Sequence, residues 1–264
     1  MIIKITACTL LVVLLGCILF ATPVNRQKQV LESCLALASG DNAAAGSAGD
    51  SSAIKITDMY ITGADGAKIK ATYYSPGKPG PAVILLHQCN DNFDRKSWVP
   101  LATALAHRGI HVMTYDFRGH GETPAGGGAE NPPGDADAAL ATLLAQPGVD
   151  AQHIGAGGAS CGAAYAYLLT ARYGRMKALM LLSGQLGDKG LEYLSQHNEL
   201  AVFDAASSEE DTNGQVINKT VAASKNPASV ATLVPNGGHG VPMFKASPDL
   251  LPTVVAWFEK VLKN

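Results

Sequence analysis

A chain of 264 residues, 47% hydrophobic and 16% charged with a formal net charge of −2, is long enough to bury a large core and carries no excess of either sign. That balance excludes a basic nucleic-acid face and an acidic tail. Twenty-eight glycines and a 6% aromatic share fit a fold with many tight turns between strands and helices, rather than a fibrous or wholly disordered chain.

The chain opens on an apolar run. Lys4 is the only charge before residues 5–20, and about 16 residues is short for a membrane span and long for a secretory core segment. A helix with no polar face and nothing before it to pack on predicts export or membrane tethering, so residues 1–22 read as a signal or membrane-anchor segment. Leu14-Leu15-Gly16-Cys17 resembles a bacterial lipoprotein cleavage box, which would make Cys17 a lipidated N-terminus, yet Ile18-Leu19-Phe20 continue the apolar run beyond that cut. Lipoprotein, cleaved signal and uncleaved anchor stay open, and each places the protein in a bacterial envelope or outside the cell. Residues 23–52 are rich in Gly, Ala, Ser, Asp and Asn and read as a flexible tether, with the folded domain over 53–264. Of five cysteines, Cys8 and Cys17 fall in the export segment. Cys34, Cys89 and Cys161 are odd in number and lack metal-ligand spacing, so no metal site is expected.

From residue 54 onward, short β-rich runs alternate with amphipathic stretches, the pattern of a mostly parallel sheet with helices on both faces. Residues 54–60 and 69–74 predict two antiparallel edge strands around the turn Gly63-Ala64-Asp65-Gly66. Residues 82–87 are continuously apolar, as for a strand buried on both faces, and 98–107 are helical, with Leu101 and Leu105 four apart. Strands follow at 111–116, 153–157, 179–183, 200–204 and 230–234, and helices at 135–146, from Ser160 through 171, at 213–223 and at 250–262.

Residues 154–162 read Ile154-Gly155-Ala156-Gly157-Gly158-Ala159-Ser160-Cys161-Gly162, so a buried strand ends and a helix begins within three residues. A turn that sharp needs small residues two before and two after the serine, where Gly158 and Gly162 stand. It lifts the Ser160 hydroxyl above the sheet and aims the backbone N–H of Cys161, at a helix N-terminus, toward the same point. Gly-x-Ser-x-Gly alone is common; its place between strand and helix marks Ser160 as a candidate nucleophile.

Four segments in order resemble the α/β-hydrolase superfamily, most closely its dienelactone-hydrolase-like and small serine esterase branches. They are Leu85-Leu86-His87 with the loop after it, Asp116-Phe117-Arg118-Gly119-His120-Gly121, the Ser160 turn, and Gly237-Gly238-His239-Gly240. The resemblance covers 54–262 and implies one α/β-hydrolase domain with no cofactor. About 16 residues separate the strands at 179–183 and 200–204, where lipases insert a cap, so no large cap domain is expected. The resemblance makes His239 the base, and the acid should lie in the loop after the strand at 200–204. Asp211 is the choice, because the family usually presents Asp there. Glu210 is its rival and Asp204, at the strand end, a weaker one. The resemblance also assigns the oxyanion donors to the N–H groups of Cys161 and Cys89. The family's usual Gly between His87 and that donor is replaced by Gln88, which is itself a candidate donor. Backbones that converge on one oxygen bring Cys89 and Cys161 close enough for a disulfide, favoured in an oxidising compartment; two free, space-filling thiols are the other reading. Because dienelactone hydrolases proper carry Cys at the turn, Cys161 is a rival nucleophile.

The remaining histidines have plainer readings. His107, His111, His153 and His197 read as helix-end, strand or loop residues, His120 as a brace of its loop, and His87 as a hydrogen-bonded structural residue. Asp116 and Arg118 are expected to form loop hydrogen bonds or an ion pair. The implied activity is hydrolysis of a small carboxylic ester through an acyl-enzyme. The alternatives are a lactonase, thioesterase or peptidase on the same triad, or an inactive hydrolase-fold binding module. A small-molecule ester is the only partner implied, besides a membrane contact through the first segment.

Overall fold

The computed structural model describes residues 53–63, 65–126, 133–212 and 214–264. The expected export segment and tether, and with them Cys17 and Cys34, lie outside the described residues. Among the described residues no helix is long and apolar enough to cross a membrane.

Eight strands form one sheet. They are β1 (Lys55–Thr62), β2 (Lys68–Ser75), β3 (Gly80–Leu86), β4 (His111–Tyr115), β5 (Val149–Ala159), β6 (Ala178–Leu182), β7 (Ala201–Ser207) and β8 (Val230–Val234), in the spatial order β1-β2-β4-β3-β5-β6-β7-β8. The β1–β2 and β2–β4 pairs are antiparallel, with Ile61 opposite Ile69 and Ala71 opposite Tyr115; every other pair is parallel. The described helices are α1 (Val99–His107), α2 (Pro133–Leu144), α3 (Cys161–Tyr173), α4 (Asp188–Gln196), α5 (Gln215–Ser224), α6 (Met243–Ala246) and α7 (Leu250–Leu262).

The alternation of side chains along each strand divides the core into two layers. Ile84, Leu86, Met113, Ala156, Leu179, Leu181 and Val202 pack under α2, α3 and α4 on one face. Val83, Leu85, Val112, Met180, Leu182 and Phe203 pack under α1 and α7 on the other, where Trp257 stacks edge-on against Phe203 and Phe258. Both faces are covered, which is why β3 and β6 read as unbroken apolar runs. Each large side chain so buried contributes on the order of 1.5–3 kcal/mol.

The chain runs from β3 outward to β4, then returns past β3 to β5. Strand order reverses there, opening a crevice beyond the carboxyl ends of β3 and β5. The Ser160 turn follows β5, and the loop holding Cys89 follows β3.

The helix expected at 98–107 forms as α1, while other elements differ from expectation. A 3₁₀ turn over Arg95–Trp98, opened by an Asp94–Ser97 capping box, precedes α1, and the short α6 has no counterpart among the expected helices. Strand β5 begins at Val149, so His153 sits inside it, with Nδ1 2.6 Å from Asp150 Oδ2. Helix α4 was not anticipated. It spans only nine residues, its N-cap is Gly187 with no capping side chain, and Gly190 interrupts its first turn, so no start signal is legible. Packing explains it: Leu194 is fully buried against the first core layer, with Leu186 and Leu191 beside it.

Asp204 projects from β7 into the core, fully buried, and neither carboxyl oxygen has a hydrogen-bond partner. Burial pushes its carboxyl up to about 7, against a smaller pull from Thr220, with the Asp211 charge adding to the rise. A carboxyl raised in the folded state stays protonated while the unfolded chain ionises, so this group removes stability as pH rises from about 4 to about 7. Asp204→Asn is therefore expected to stabilise the protein at pH 8 and to make little difference near pH 4. Thermal melts of both proteins across that range check it; a variant penalty that is constant with pH contradicts the sign.

Candidate active site

Ser160 stands between β5 and α3 at φ 54° and ψ −123°, a conformation costing a non-glycine residue on the order of 1–3 kcal/mol. Two close approaches hold it there. A methyl group on Gly158 would lie 2.1 Å from the Gly162 carbonyl oxygen, and one on Gly162 would lie 2.4 Å from those of Leu86 and His87. Only glycine lets strand, helix and the end of β3 meet so tightly. The Ser160 N–H donates to Leu182 O at 2.8 Å, tying the turn to β6. Cys161 opens α3, so its N–H is one of the helix's unpaired donors.

The second expected oxyanion donor is aimed by His87. This ring is fully buried; Nε2 accepts the Phe117 N–H at 2.9 Å, so Nδ1 carries the proton and donates to Gln88 O at 2.8 Å. The carbonyl of Gln88 and the N–H of Cys89 belong to one planar trans peptide, so fixing the carbonyl points that N–H the opposite way. Burial, aided by the neighbouring His120, pushes the His87 imidazole down to about 4 against smaller opposing contributions from Gln88 and Asp94, and keeps it neutral. Cys89 and Cys161 are joined by a disulfide with a Cα–Cα distance of 5.9 Å, which links the two donor-bearing segments covalently. A bridged sulfur is not a thiolate, so the rival reading of Cys161 as nucleophile has no reactive group in this state.

The Gln88 side chain serves the neighbouring loop, whatever its backbone N–H does. It is buried, and Oε1 accepts the Val241 N–H at 3.1 Å, reaching the loop that carries His239. A methyl group on Gly240 would lie 2.3 Å from that oxygen and 3.3 Å from Ala159 Cβ, so this loop descends directly beside the residue preceding Ser160.

The choice of acid needs correction. Glu210, not Asp211, meets the histidine: its Oε1 is hydrogen-bonded to His239 Nδ1. Its Oε2 accepts the Ser183 hydroxyl at 2.6 Å and the Ser207 N–H at 3.4 Å. Burial opposes ionisation, but Ser183, His239 and the Ser207 N–H outweigh it and hold the Glu210 carboxyl below its ordinary range. Asp211 is buried and faces the start of α5, where its carboxylate accepts the N–H groups of Gln215, Val216 and Ile217 at 2.6, 2.8 and 3.1 Å. Gly214 has no side chain to cap that helix, and Asp211 takes its place. Asp204 lies in the core, as described above. With Nδ1 bonded to Glu210, Nε2 is the ring nitrogen that could serve another partner. Among the described residues no hydrogen bond joins that ring to Ser160 Oγ.

The remaining charged residues brace loops. Asp116 pairs with buried Arg95 at 2.7 Å, a partner the sequence did not single out, and also accepts the N–H groups of Arg95 and Glu122. Arg118 is clamped between Asp65 and Asp135 with contacts of 2.6–2.7 Å. His111 bonds Tyr73 and the Lys78 carbonyl, and His120 packs edge-on against His87.

The sequence pattern of the alpha/beta hydrolase fold family matches residues 81–228, more than half of the chain, and the chain belongs to that family. Two uncharacterized proteins of Mycobacterium tuberculosis, from strains CDC 1551 / Oshkosh and H37Rv, are each 36% identical over 112 residues, 41% of this chain. The match spans 39% of the length of those relatives. An esterase of Pyrococcus furiosus shares the fold with a TM-score of 0.58 at 18% identity, over 79% of this chain and 92% of its own. A thermophilic esterase of Thermogutta terrifontis does so with a TM-score of 0.55 at 15% identity, over 78% and 99%.

Asp211→Ala should lower stability by about 1–2 kcal/mol, because it strips the acceptor from the first turn of α5. Thermal denaturation reads this as a fall of several degrees in Tm. An unchanged Tm would show that the cap contributes nothing.

Proposed function

We propose that the protein is a serine-dependent carboxylic ester hydrolase in which Ser160 is the nucleophile, His239 the base and Glu210 the acid. The observation that carries this reading is the Glu210–His239 pair, held on a loop that packs beside the strained Ser160 turn. His239 Nε2 takes the proton from Ser160 Oγ as that oxygen attacks the ester carbonyl carbon. The resulting oxyanion receives the N–H groups of Cys161 and Cys89. Collapse expels the alkoxide, which collects the proton from His239, and leaves an acyl group on Ser160. Water, deprotonated by the same imidazole, then releases the acid. Glu210 holds the ring in the productive tautomer and stabilises the imidazolium that forms at each step.

The esterases that share the fold support an ester as the acyl donor. A single helix, α4, fills the connection between β6 and β7, where a cap domain would otherwise stand, which favours small, soluble substrates over lipid aggregates. The disulfide supports the expectation that the chain works in an oxidising, exported setting.

A fluorophosphonate probe is expected to label the wild-type protein and not Ser160→Ala, and the same substitution should lower p-nitrophenyl acetate hydrolysis by several orders of magnitude. Glu210→Gln should reduce kcat about a thousandfold or more, whereas Asp211→Asn stays within about tenfold. Labelling that persists in Ser160→Ala moves the nucleophile elsewhere; equal losses at the two acids remove Glu210 from its role.

A second expectation concerns the disulfide, which closes a loop of 72 residues across the oxyanion segments. Reduction should release roughly 4 kcal/mol of chain-entropy stabilisation and loosen both donors. Treatment with a phosphine reductant is expected to lower both Tm and kcat, with recovery on reoxidation. A fully reduced protein of unchanged kcat would separate the bridge from catalysis.

A further inference from the structure

Ser183, directly after β6, contacts both Glu210 and the loop that carries His239, and no motif singles it out in the chain. Its hydroxyl donates to Glu210 Oε2 at 2.6 Å and accepts the Gly240 N–H at 2.8 Å. Its own N–H donates to Ala205 O at 2.8 Å, which anchors it in the sheet. The direction of these bonds is not ambiguous. An ionised carboxylate only accepts, so the Ser183 proton must point at Glu210, leaving a lone pair for the backbone donor beside His239. One oxygen thereby ties the acid's loop to the base's loop.

Glutamate creates the need for such a tie. Its side chain has one more rotatable bond than aspartate, and the final carboxylate torsion is broad. Anchored only through Oε1 at His239, the carboxylate would be free to swing about that torsion. Ser183 at Oε2, assisted by the longer Ser207 N–H contact, removes this freedom. The backbone bears a cost for the arrangement: Ser183 has φ 50°, in the left-handed region that glycine tolerates and a side chain does not.

We propose that Ser183 is the positioning residue of the triad, fixing the Glu210 carboxylate and the His239 loop in one orientation through a single hydroxyl. The proposal rests on the reading of Ser160, His239 and Glu210 as that triad. It is not a group that touches substrate; it acts through Glu210 and His239.

Ser183→Gly tests this directly, because it removes the hydroxyl and relieves the backbone strain at once. In the full chain, kcat for p-nitrophenyl acetate is expected to fall about tenfold to a hundredfold, with KM within about twofold and Tm lowered by no more than a few degrees, since relief of the strain offsets the Gly240 donor left without its acceptor. The rate of labelling by a fluorophosphonate should fall in parallel. Combined with Glu210→Gln, Ser183→Gly should slow the enzyme no further, since its effect passes through that carboxylate. A Ser183→Gly protein with wild-type kcat and labelling rate overturns the proposal, as does a loss that multiplies fully with that of Glu210→Gln. A wild-type protein that neither labels nor hydrolyses the ester overturns the triad reading itself, and this proposal with it.

Discussion

The loop that carries His239 leaves β8 with no strand beside it and reaches α6 only at Met243, so the backbone donors before that helix are met by side chains. Asn236 N–H goes to Ser208 Oγ, Gly237 to Ser207 Oγ, Gly238 to Glu209 Oε2, Gly240 to Ser183 Oγ and Val241 to Gln88 Oε1. The Gly237 bond is buried and those of Gly240 and Val241 partly so, and a buried donor left without an acceptor costs on the order of 1–3 kcal/mol, so these bonds constrain where the loop can lie. Its acceptors stand at the carboxyl ends of β3, β6 and β7. The histidine is thus placed by the level at which three parallel strands stop, not by the strand that leads into it.

The same edge of the sheet collects the strain. Of the four non-glycine residues with positive φ among the described residues, Ser160, Ser183 and Asn236 follow β5, β6 and β8. Such conformations persist only where the surroundings over-determine them, and here the parallel sheet below is packed on both faces. The reversal of strand order between β3 and β5 adds the crevice, and the Cys89–Cys161 bridge spans its two sides. Architecture and covalent chemistry converge on one point above the sheet.

Much of this was legible in the chain itself. The Ser160 turn was readable because its sterics demand glycines at fixed offsets, and the strand runs because a parallel sheet buries them on both faces. The acid was not. Glu209, Glu210 and Asp211 are adjacent and alike in sequence, yet they diverge to the Gly238 N–H, the His239 ring and the first turn of α5. Which carboxylate goes where depends on Gly214 leaving a helix uncapped and on the reach of a glutamate side chain, neither of which spacing reveals. Ser183, Arg95 and the bond from the Val241 N–H to Gln88 were hidden for a related reason. Their partners lie on distant strands, and single polar residues at strand ends give no periodic signal. Helix α4 escaped notice because it is short, lacks a capping side chain and carries Gly190 in its first turn, although its apolar side chains share one face and bury Leu194.

His87 and His239 stand on either side of the crevice and have been made into different chemical objects. Burial, the Gln88 carbonyl and the Phe117 N–H leave the first ring a single tautomer that stays neutral down to about pH 4. The second is half exposed, with its Nδ1 bonded to the Glu210 carboxylate. Acidification toward pH 4 leaves the aim of the Cys89 peptide untouched: protons that arrive at the crevice meet a frame set by a ring they do not reach.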